Sequence, residues 1–218
     1  MSLYDPARNL SIWLLPSATS PECREFSKVV DYLAKKNGKT PYAPHATLAM
    51  LPADFPLEIV RDVVNETKRD WFSRRIEFEK VYTTSKGVMI RGRHDTVDAA
   101  GVSLGSFQQA FHDRLQEEVQ KRRTTGTIAA DTPDVKNIVP KFPHISLAYT
   151  DKGQEESVKD IKKKGWYKPL DGGIKIAGFK GYKIGAIHFV YCGGLKPEKW
   201  KLFEQIEDGA EAPAETST

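Results

Sequence analysis

The hydrophobic and polar positions at the start of the chain predict a strand followed by a helix. The run NLSIWLLP at 9–16 is apolar and ends at a proline, a pattern typical of a buried strand. Within 20–38, Ser20 is a favourable N-cap, Pro21 suits the first helical position, and Gly38 suits the helix end. Apolar residues recur there at helical spacing and predict one buried face: Phe26, Val29, Val30 and Leu33.

The middle of the chain continues the alternation of strands and helices. The patterns predict a strand, PHATLAML, and then a helix over 56–71. Period-two alternation on both sides of 85–87 predicts a hairpin, and helical spacing returns over 103–122. The segment 123–141 is polar and rich in helix breakers, which predicts a long loop or an insertion.

The last third of the chain adds short elements. FPHISLAYT predicts a strand, EESVKDIKKKGWY a short charged helix that Gly165 ends, and 173–192 two further strands. PEKWKLFEQIE is interpreted as a short final helix, and the tail 208–218 is expected to be disordered because it has no large apolar residue. The element order predicts an α+β fold with antiparallel sheets and outer helices, in a single two-lobed domain over 1–207.

Composition and charge narrow the class of protein. The chain has 218 residues, of which 39% are hydrophobic and 28% charged, as in an ordinary globular domain with a substantial core. The longest early apolar stretch, 12–15, is too short for a secretion signal and follows Asp5, so we expect a cytoplasmic protein without a membrane span. Cys23 and Cys192 are expected to be reduced thiols. A net charge of +4 suits a phosphate-bearing ligand but is too small to indicate nucleic-acid binding.

A seven-residue pattern occurs twice, as PHATLAM at 44–50 and as PHISLAY at 143–149. Residues i and i+2 of a strand point to the same face. His45 and Thr47 therefore share one face of their strand, and His144 and Ser146 share one face of theirs. Each copy presents an imidazole and a hydroxyl on one side and apolar residues on the other.

Two imidazoles and two hydroxyls that meet in one cleft suit phosphodiester chemistry. Histidines with a pKa near neutrality serve as one general base and one general acid, and two hydroxyls donate hydrogen bonds to the two non-bridging oxygens of a phosphate. A single H-x-T on a strand is usually structural. A zinc site is the other alternative, but each copy offers one ligand without a cysteine or an acidic cluster beside it, so we expect no metal.

The paired tetrads HATL and HISL resemble the two H-x-[ST]-x motifs of the two-histidine phosphoesterase superfamily. Within it, the chain from about Ser11 to Trp200 is most similar to the cyclic nucleotide phosphodiesterases of fungi and plants. The two histidines lie 99 positions apart, which is long for the superfamily, and the segment 123–141 accounts for the excess. The resemblance implies a bilobal α+β fold in which two antiparallel sheets line a central cleft.

The resemblance also implies an activity that needs neither a metal nor a cofactor. Such enzymes hydrolyse 2′,3′-cyclic nucleotides to nucleoside 2′-phosphates. They also hydrolyse ADP-ribose 1″,2″-cyclic phosphate, a by-product of tRNA splicing, to ADP-ribose 1″-phosphate. By this resemblance His45 and His144 are the acid–base pair, and Thr47 and Ser146 hold the phosphate. Tyr149 matches a substrate-contacting tyrosine of the plant relatives, although a packing role at the strand end is an equal alternative.

Two other functions remain open at this point: RNA-end processing on oligonucleotides, and nucleotide binding without catalysis. The expected partner is a small nucleotide bound by a monomer, with no stable nucleic-acid partner. Which histidine is the base is undecided. Arg91 and Arg93 project from one strand face and either steer a pyrophosphate or, as we favour, are solvated. Trp166 and Tyr167 either stack on a base or anchor a loop.

Overall fold

The computed structural model describes residues 9–52, 55–98, 100–132, 135, 143–192 and 197–208. From β1 to α4, the helices and strands follow one another in the predicted order. The helices are α1 (Pro21–Lys36), α2 (Leu57–Phe72), α3 (Leu104–Thr124) and α4 (Gln154–Lys163). The strands are β1 (Asn9–Pro16), β2 (Ala46–Pro52), β3 (Arg75–Thr84), β4 (Gly87–Gly92), β5 (His144–Tyr149), β6 (Tyr167–Leu170), β7 (Gly173–Ile176), β8 (Gly181–Cys192) and β9 (Lys201–Glu207).

Helix α1 shows why the local patterns were informative. The Ser20 hydroxyl accepts a hydrogen bond from the Cys23 backbone N–H at 3.1 Å, which satisfies one of the unpaired donors of the first turn. The predicted apolar face is buried in the core, and two lysines lie in the last turn, where the helix dipole favours positive charge. The predicted helix is confirmed.

Seven strands form one antiparallel sheet in the order β1-β2-β5-β4-β3-β8-β9, and β6 and β7 form a separate hairpin. Strand β8 is long enough to pair with three others: its start pairs with β3, and its later part lies between β1 and β9. Because β1 also pairs with β8, the strands form a closed circuit. The predicted α+β class with antiparallel sheets is confirmed, and the described strands form one large sheet and one two-stranded hairpin.

Both faces of strand β1 are buried, and the two faces differ. Alternate residues Leu10, Ile12 and Leu14 belong to the main hydrophobic core, which also receives side chains from all four helices. Trp13 and Leu15 point the other way and pack in a smaller cluster with Ala186 and Val190 of β8. Half-buried Cys192 and Trp200 contact this smaller cluster. The site described below lies on this second face.

One predicted element is wrong. The segment interpreted as a final helix forms a short 3₁₀ turn, Pro197–Lys199, followed by strand β9. Strand β9 occupies the outer edge of β8, where residues 186–191 would otherwise leave backbone donors and acceptors unpaired. A bidentate contact between Arg61 on α2 and Glu204, at 2.7–3.1 Å, fixes the new strand to the body of the protein. The hairpin strand β6 was not predicted.

Two other predictions fall largely outside the described residues. Helix α3 extends to Thr124, and of the proposed loop 123–141 only 123–132 and 135 are described. Of the tail 208–218, only Asp208 is described; its backbone N–H donates to the Gly185 carbonyl at 2.9 Å. None of the described helices has the length and apolar character needed to cross a membrane.

Candidate active site

The two motif copies meet at one pair of residues. Strands β2 and β5 are antiparallel neighbours through Ala46 and Ile145, which are both fully buried in the core. In an antiparallel pair, the residues that flank such a pair lie opposite each other and project to the other face. His45 therefore lies across from Ser146, and Thr47 lies across from His144, with all four side chains on the face away from the core.

This arrangement has an approximate two-fold relation about the Ala46–Ile145 pair. The two histidines occupy diagonal positions, for which the separation is about 7–8 Å, and somewhat less between Cβ atoms. The sequence-predicted convergence of His45, Thr47, His144 and Ser146 is thus what the strand register produces.

His45 is enclosed by aromatic rings and is only 2% exposed. The Trp13 ring stacks on it with a centroid distance of 3.6 Å and an interplanar angle of 9°. Tyr42 and Trp200 contact it edge-on at 6.0 and 6.1 Å. Burial lowers the pKa of His45 from 6.5 to about 3, and the nearby His144 and His188 add smaller contributions in the same direction. The ring is therefore neutral at physiological pH.

A single hydrogen bond defines the tautomer of His45. Its Nδ1 lies 2.7 Å from the Ala43 carbonyl oxygen. Since a carbonyl oxygen only accepts, Nδ1 carries the proton of the neutral ring, and Nε2 carries the lone pair. Nε2 is therefore the atom of His45 that can accept a proton, and in this enclosed position its low pKa makes it a weak acceptor.

The Ser146 hydroxyl is buried and engaged with two neighbours. It lies 2.9 Å from the Tyr149 hydroxyl and 3.0 Å from the sulfur of Met89, its partner on β4. Tyr149 is half-buried and also borders a cavity of about 430 Å³, whose lining includes Lys39 and Lys86. Tyr149 thus connects the second motif copy to this cavity, whereas Met50, at the same position of the first copy, has no hydroxyl.

Four residues at the site were not identified from the sequence: Trp13, Tyr42, His188 and Trp200. Trp13 pairs with Thr47 on one side and with His188 on the other, so all three project to the same face. This register joins strands that are far apart in the sequence, which is why no local pattern revealed it. Tyr42 lies only three positions before His45, and this proximity was the one available signal.

Other sequence candidates have different surroundings. Arg91 pairs with His144 across β4 and β5, so the two share a face, and its Nε lies 2.9 Å from a Glu79 carboxylate oxygen. Arg91 and Arg93 line a cavity of about 500 Å³ together with both acidic and basic neighbours. Trp166 packs edge-on against Tyr32 of α1 at 5.4 Å, and Lys162 lies over the Tyr167 ring, so both aromatic residues have partners on the outer helices.

Among the residues that the structure describes, no three His, Cys, Asp or Glu side chains are grouped as a metal site would need. Cys23 and Cys192 are half-buried free thiols, and burial raises the pKa of Cys192 to about 12. In comparisons with known proteins, no protein-family model matches the chain, and no curated protein is significantly similar to it.

Proposed function

We propose that the protein is a metal-independent cyclic phosphodiesterase of the two-histidine type. Its substrates would be 2′,3′-cyclic nucleotides, opened to nucleoside 2′-phosphates, and ADP-ribose 1″,2″-cyclic phosphate, opened to ADP-ribose 1″-phosphate. The observation that carries the proposal is the Ala46–Ile145 pair, because it aligns both H-x-[ST] copies on one face. The proposal includes a bilobal two-histidine fold with a central cleft, acting as a cytoplasmic monomer.

The proposed reaction is an in-line displacement at phosphorus. Neutral His45 removes a proton from a water molecule through Nε2, and the water oxygen forms a new bond to phosphorus. The bond between phosphorus and the 3′ oxygen breaks on the opposite side. Protonated His144 donates its proton to that leaving oxygen, so charge and atoms balance. The neutral state of His45 supports this assignment, because a histidine that acts as the acid has to be protonated on both nitrogens.

The two hydroxyls act on the phosphate itself. Thr47 and Ser146 flank the space between the histidines, and each donates a hydrogen bond to one non-bridging oxygen. Ser146 gives up its present contact with Met89 to do so, while the Tyr149 hydroxyl beside it holds its orientation. A site whose donors are already buried has little solvent to reorganise when charge develops on the phosphate.

Steady-state hydrolysis of 2′,3′-cyclic AMP tests this function. We expect His45→Ala and His144→Ala each to reduce kcat by about 10²–10⁴-fold, the usual contribution of a general acid or base. His94→Ala is the matched control, since His94 also has a hydroxyl two positions later, on Thr96, but is exposed and lies outside the β2–β5 pair. Activity should persist in a chelator. Wild-type turnover by either motif variant contradicts the mechanism.

The substrate class needs a separate comparison. The mononucleotide and an oligonucleotide with the same 2′,3′-cyclic end should be measured side by side, with ADP-ribose 1″,2″-cyclic phosphate as the third substrate. We expect the small substrates to have the higher kcat/KM because the net charge is only +4. A preference for the oligonucleotide would favour RNA-end processing, and binding without product would favour a non-catalytic module.

A further inference from the structure

Trp200 lies at the centre of the aromatic cluster that surrounds His45. Its ring contacts Trp13 at 5.2 Å, Tyr42 at 5.5 Å, His45 at 6.1 Å and Tyr149 at 5.5 Å, with interplanar angles of 61–89°. His45 belongs to the first motif copy, and Trp13 lies on the neighbouring strand β1. Tyr149 belongs to the second copy. Trp200 therefore spans the gap between the two halves of the site.

Three of the four groups that the proposed reaction uses are closed to solvent in this arrangement, and His144 is partly exposed. His45 and Ser146 are 2% exposed and Thr47 is 7% exposed. A phosphate cannot contact buried hydroxyls and a buried imidazole unless a covering side chain moves. Trp200 is half-buried and contacts the rings on both sides, so it is placed to be that cover.

The backbone at Trp200 permits such a movement. Trp200 lies between the 3₁₀ turn Pro197–Lys199 and the first residue of β9, and the ladder with β8 begins at Lys201. Its N–H bonds to the Pro197 carbonyl within the turn, at 3.0 Å. The side chain can therefore rotate away while the β8–β9 pairs stay formed. Edge-on ring contacts are individually weak, so they give a closed state that a ligand can open.

We propose that Trp200 is a positioning residue that covers His45 in the unliganded protein and is displaced when the cyclic phosphate enters. The inference rests on the proposed function for the identity of the ligand. The closed position keeps the imidazole dry and holds it between Trp13 and Tyr42. Opening exposes Nε2 and the two hydroxyls together, so that access to the base and to the phosphate donors is controlled by one side chain.

Covalent modification of histidines by diethyl pyrocarbonate tests the cover without relying on turnover. The reagent reacts with neutral imidazole, so at pH 7 access to the ring limits the rate at His45. Rates at His45 and His144 would be measured by peptide mass spectrometry in wild type, Trp200→Ala and Trp200→Phe. Trp166→Ala is the matched control, because Trp166 is also half-buried but packs on Tyr32.

We expect Trp200→Ala to increase the rate at His45 at least about tenfold, a factor that corresponds to about 1.4 kcal/mol, with Trp200→Phe between the two. The His144 rate in the same protein is the internal reference. An equal increase at both histidines would mean general loosening and would overturn the proposal, as would an unchanged rate at His45. Addition of 2′-AMP should protect His45 again in Trp200→Ala, and a lack of protection would count against the proposed ligand rather than against the cover.

A kinetic measurement separates this inference from the proposed function. We expect Trp200→Ala to lower KM for 2′,3′-cyclic AMP, because the substrate no longer has to displace the ring. The separate kcat and KM values of the wild type serve as the reference. An unchanged or higher KM counts against the cover. If wild type hydrolyses no cyclic phosphate but His45 still responds to Trp200→Ala, the proposed function fails and the cover stands. If hydrolysis is seen and His45 does not respond, only the cover fails.

Discussion

Replacing His45 with glutamine should change the pH dependence of folding stability in a predictable way. In the folded protein burial lowers the pKa of His45 to about 3, whereas an unfolded histidine titrates near pH 6.5. Below pH 6.5 the unfolded chain takes up a proton that the folded protein excludes, so acid favours unfolding. The stability associated with neutral His45 is therefore complete above pH 6.5, declines as the pH falls, and stops declining near pH 3.

The size of the effect follows from the same two pKa values. One pKa unit corresponds to about 1.4 kcal/mol, so the whole window is worth about 5 kcal/mol. At pH 4.5, two units below the unfolded value, the loss is about 3 kcal/mol. His45 is 2% exposed, so solvent screening does not reduce this figure appreciably. His45→Gln lacks the titrating group and does not suffer the loss.

Urea unfolding of wild type and His45→Gln at pH 7.5 and pH 4.5 measures the effect. Other titrating groups contribute equally to both proteins and cancel in the difference between them. We expect the stability of His45→Gln relative to wild type to improve by about 3 kcal/mol from pH 7.5 to pH 4.5. The same measurement on His94→Gln gives the effect of replacing an exposed histidine. An equal difference between wild type and His45→Gln at the two pH values would refute the burial argument.

Two other predictions concern β5 and its neighbour β4. Tyr149→Phe removes the oxygen that lies 2.9 Å from the Ser146 hydroxyl. The kcat/KM value should fall a few-fold to about tenfold, as expected for the loss of one hydrogen bond. Unchanged kinetics would leave Tyr149 with a packing role only. Gly87→Ala places a Cβ 1.8 Å from the Ala148 carbonyl oxygen, at a φ of 153° that residues with side chains rarely adopt. Calorimetry should show a Tm at least about 4 °C lower. An unchanged Tm would show that the backbone where β4 meets β5 shifts with little loss of stability.

Much of the fold could be predicted because its signals are local. Helical spacing and the Ser20 cap defined α1, and period-two alternation defined the β3–β4 hairpin. The facing of His45 and Thr47, and of His144 and Ser146, follows from strand geometry alone. The expectation that β2 and β5 are neighbours came only from the repeated motif and the family resemblance. The pairing of Ala46 with Ile145 shows that they are neighbours.

The rest depends on contacts between distant parts of the chain. Strand β9 is a strand because β8 offers an open edge and Arg61 binds Glu204, and neither fact is visible within its seven residues. Trp13 reaches His45 only through the pairing of β1 with β2. Trp200 is brought in by the same closing of the sheet, and nothing in its sequence neighbourhood distinguishes it from Trp166.

The hydrogen bond from His45 to the Ala43 carbonyl has a consequence for the product of the proposed reaction. A site with two similar halves is nearly degenerate toward a ribose whose 2′ and 3′ oxygens exchange places, so by itself it would release both phosphate isomers. Holding His45 neutral by burial, with its one proton on Nδ1, would remove that degeneracy, because the acid must then be the other histidine. The regiochemistry of ring opening would follow from the different surroundings of two similar histidines, and the ratio of 2′- to 3′-phosphate would report which imidazole is kept neutral.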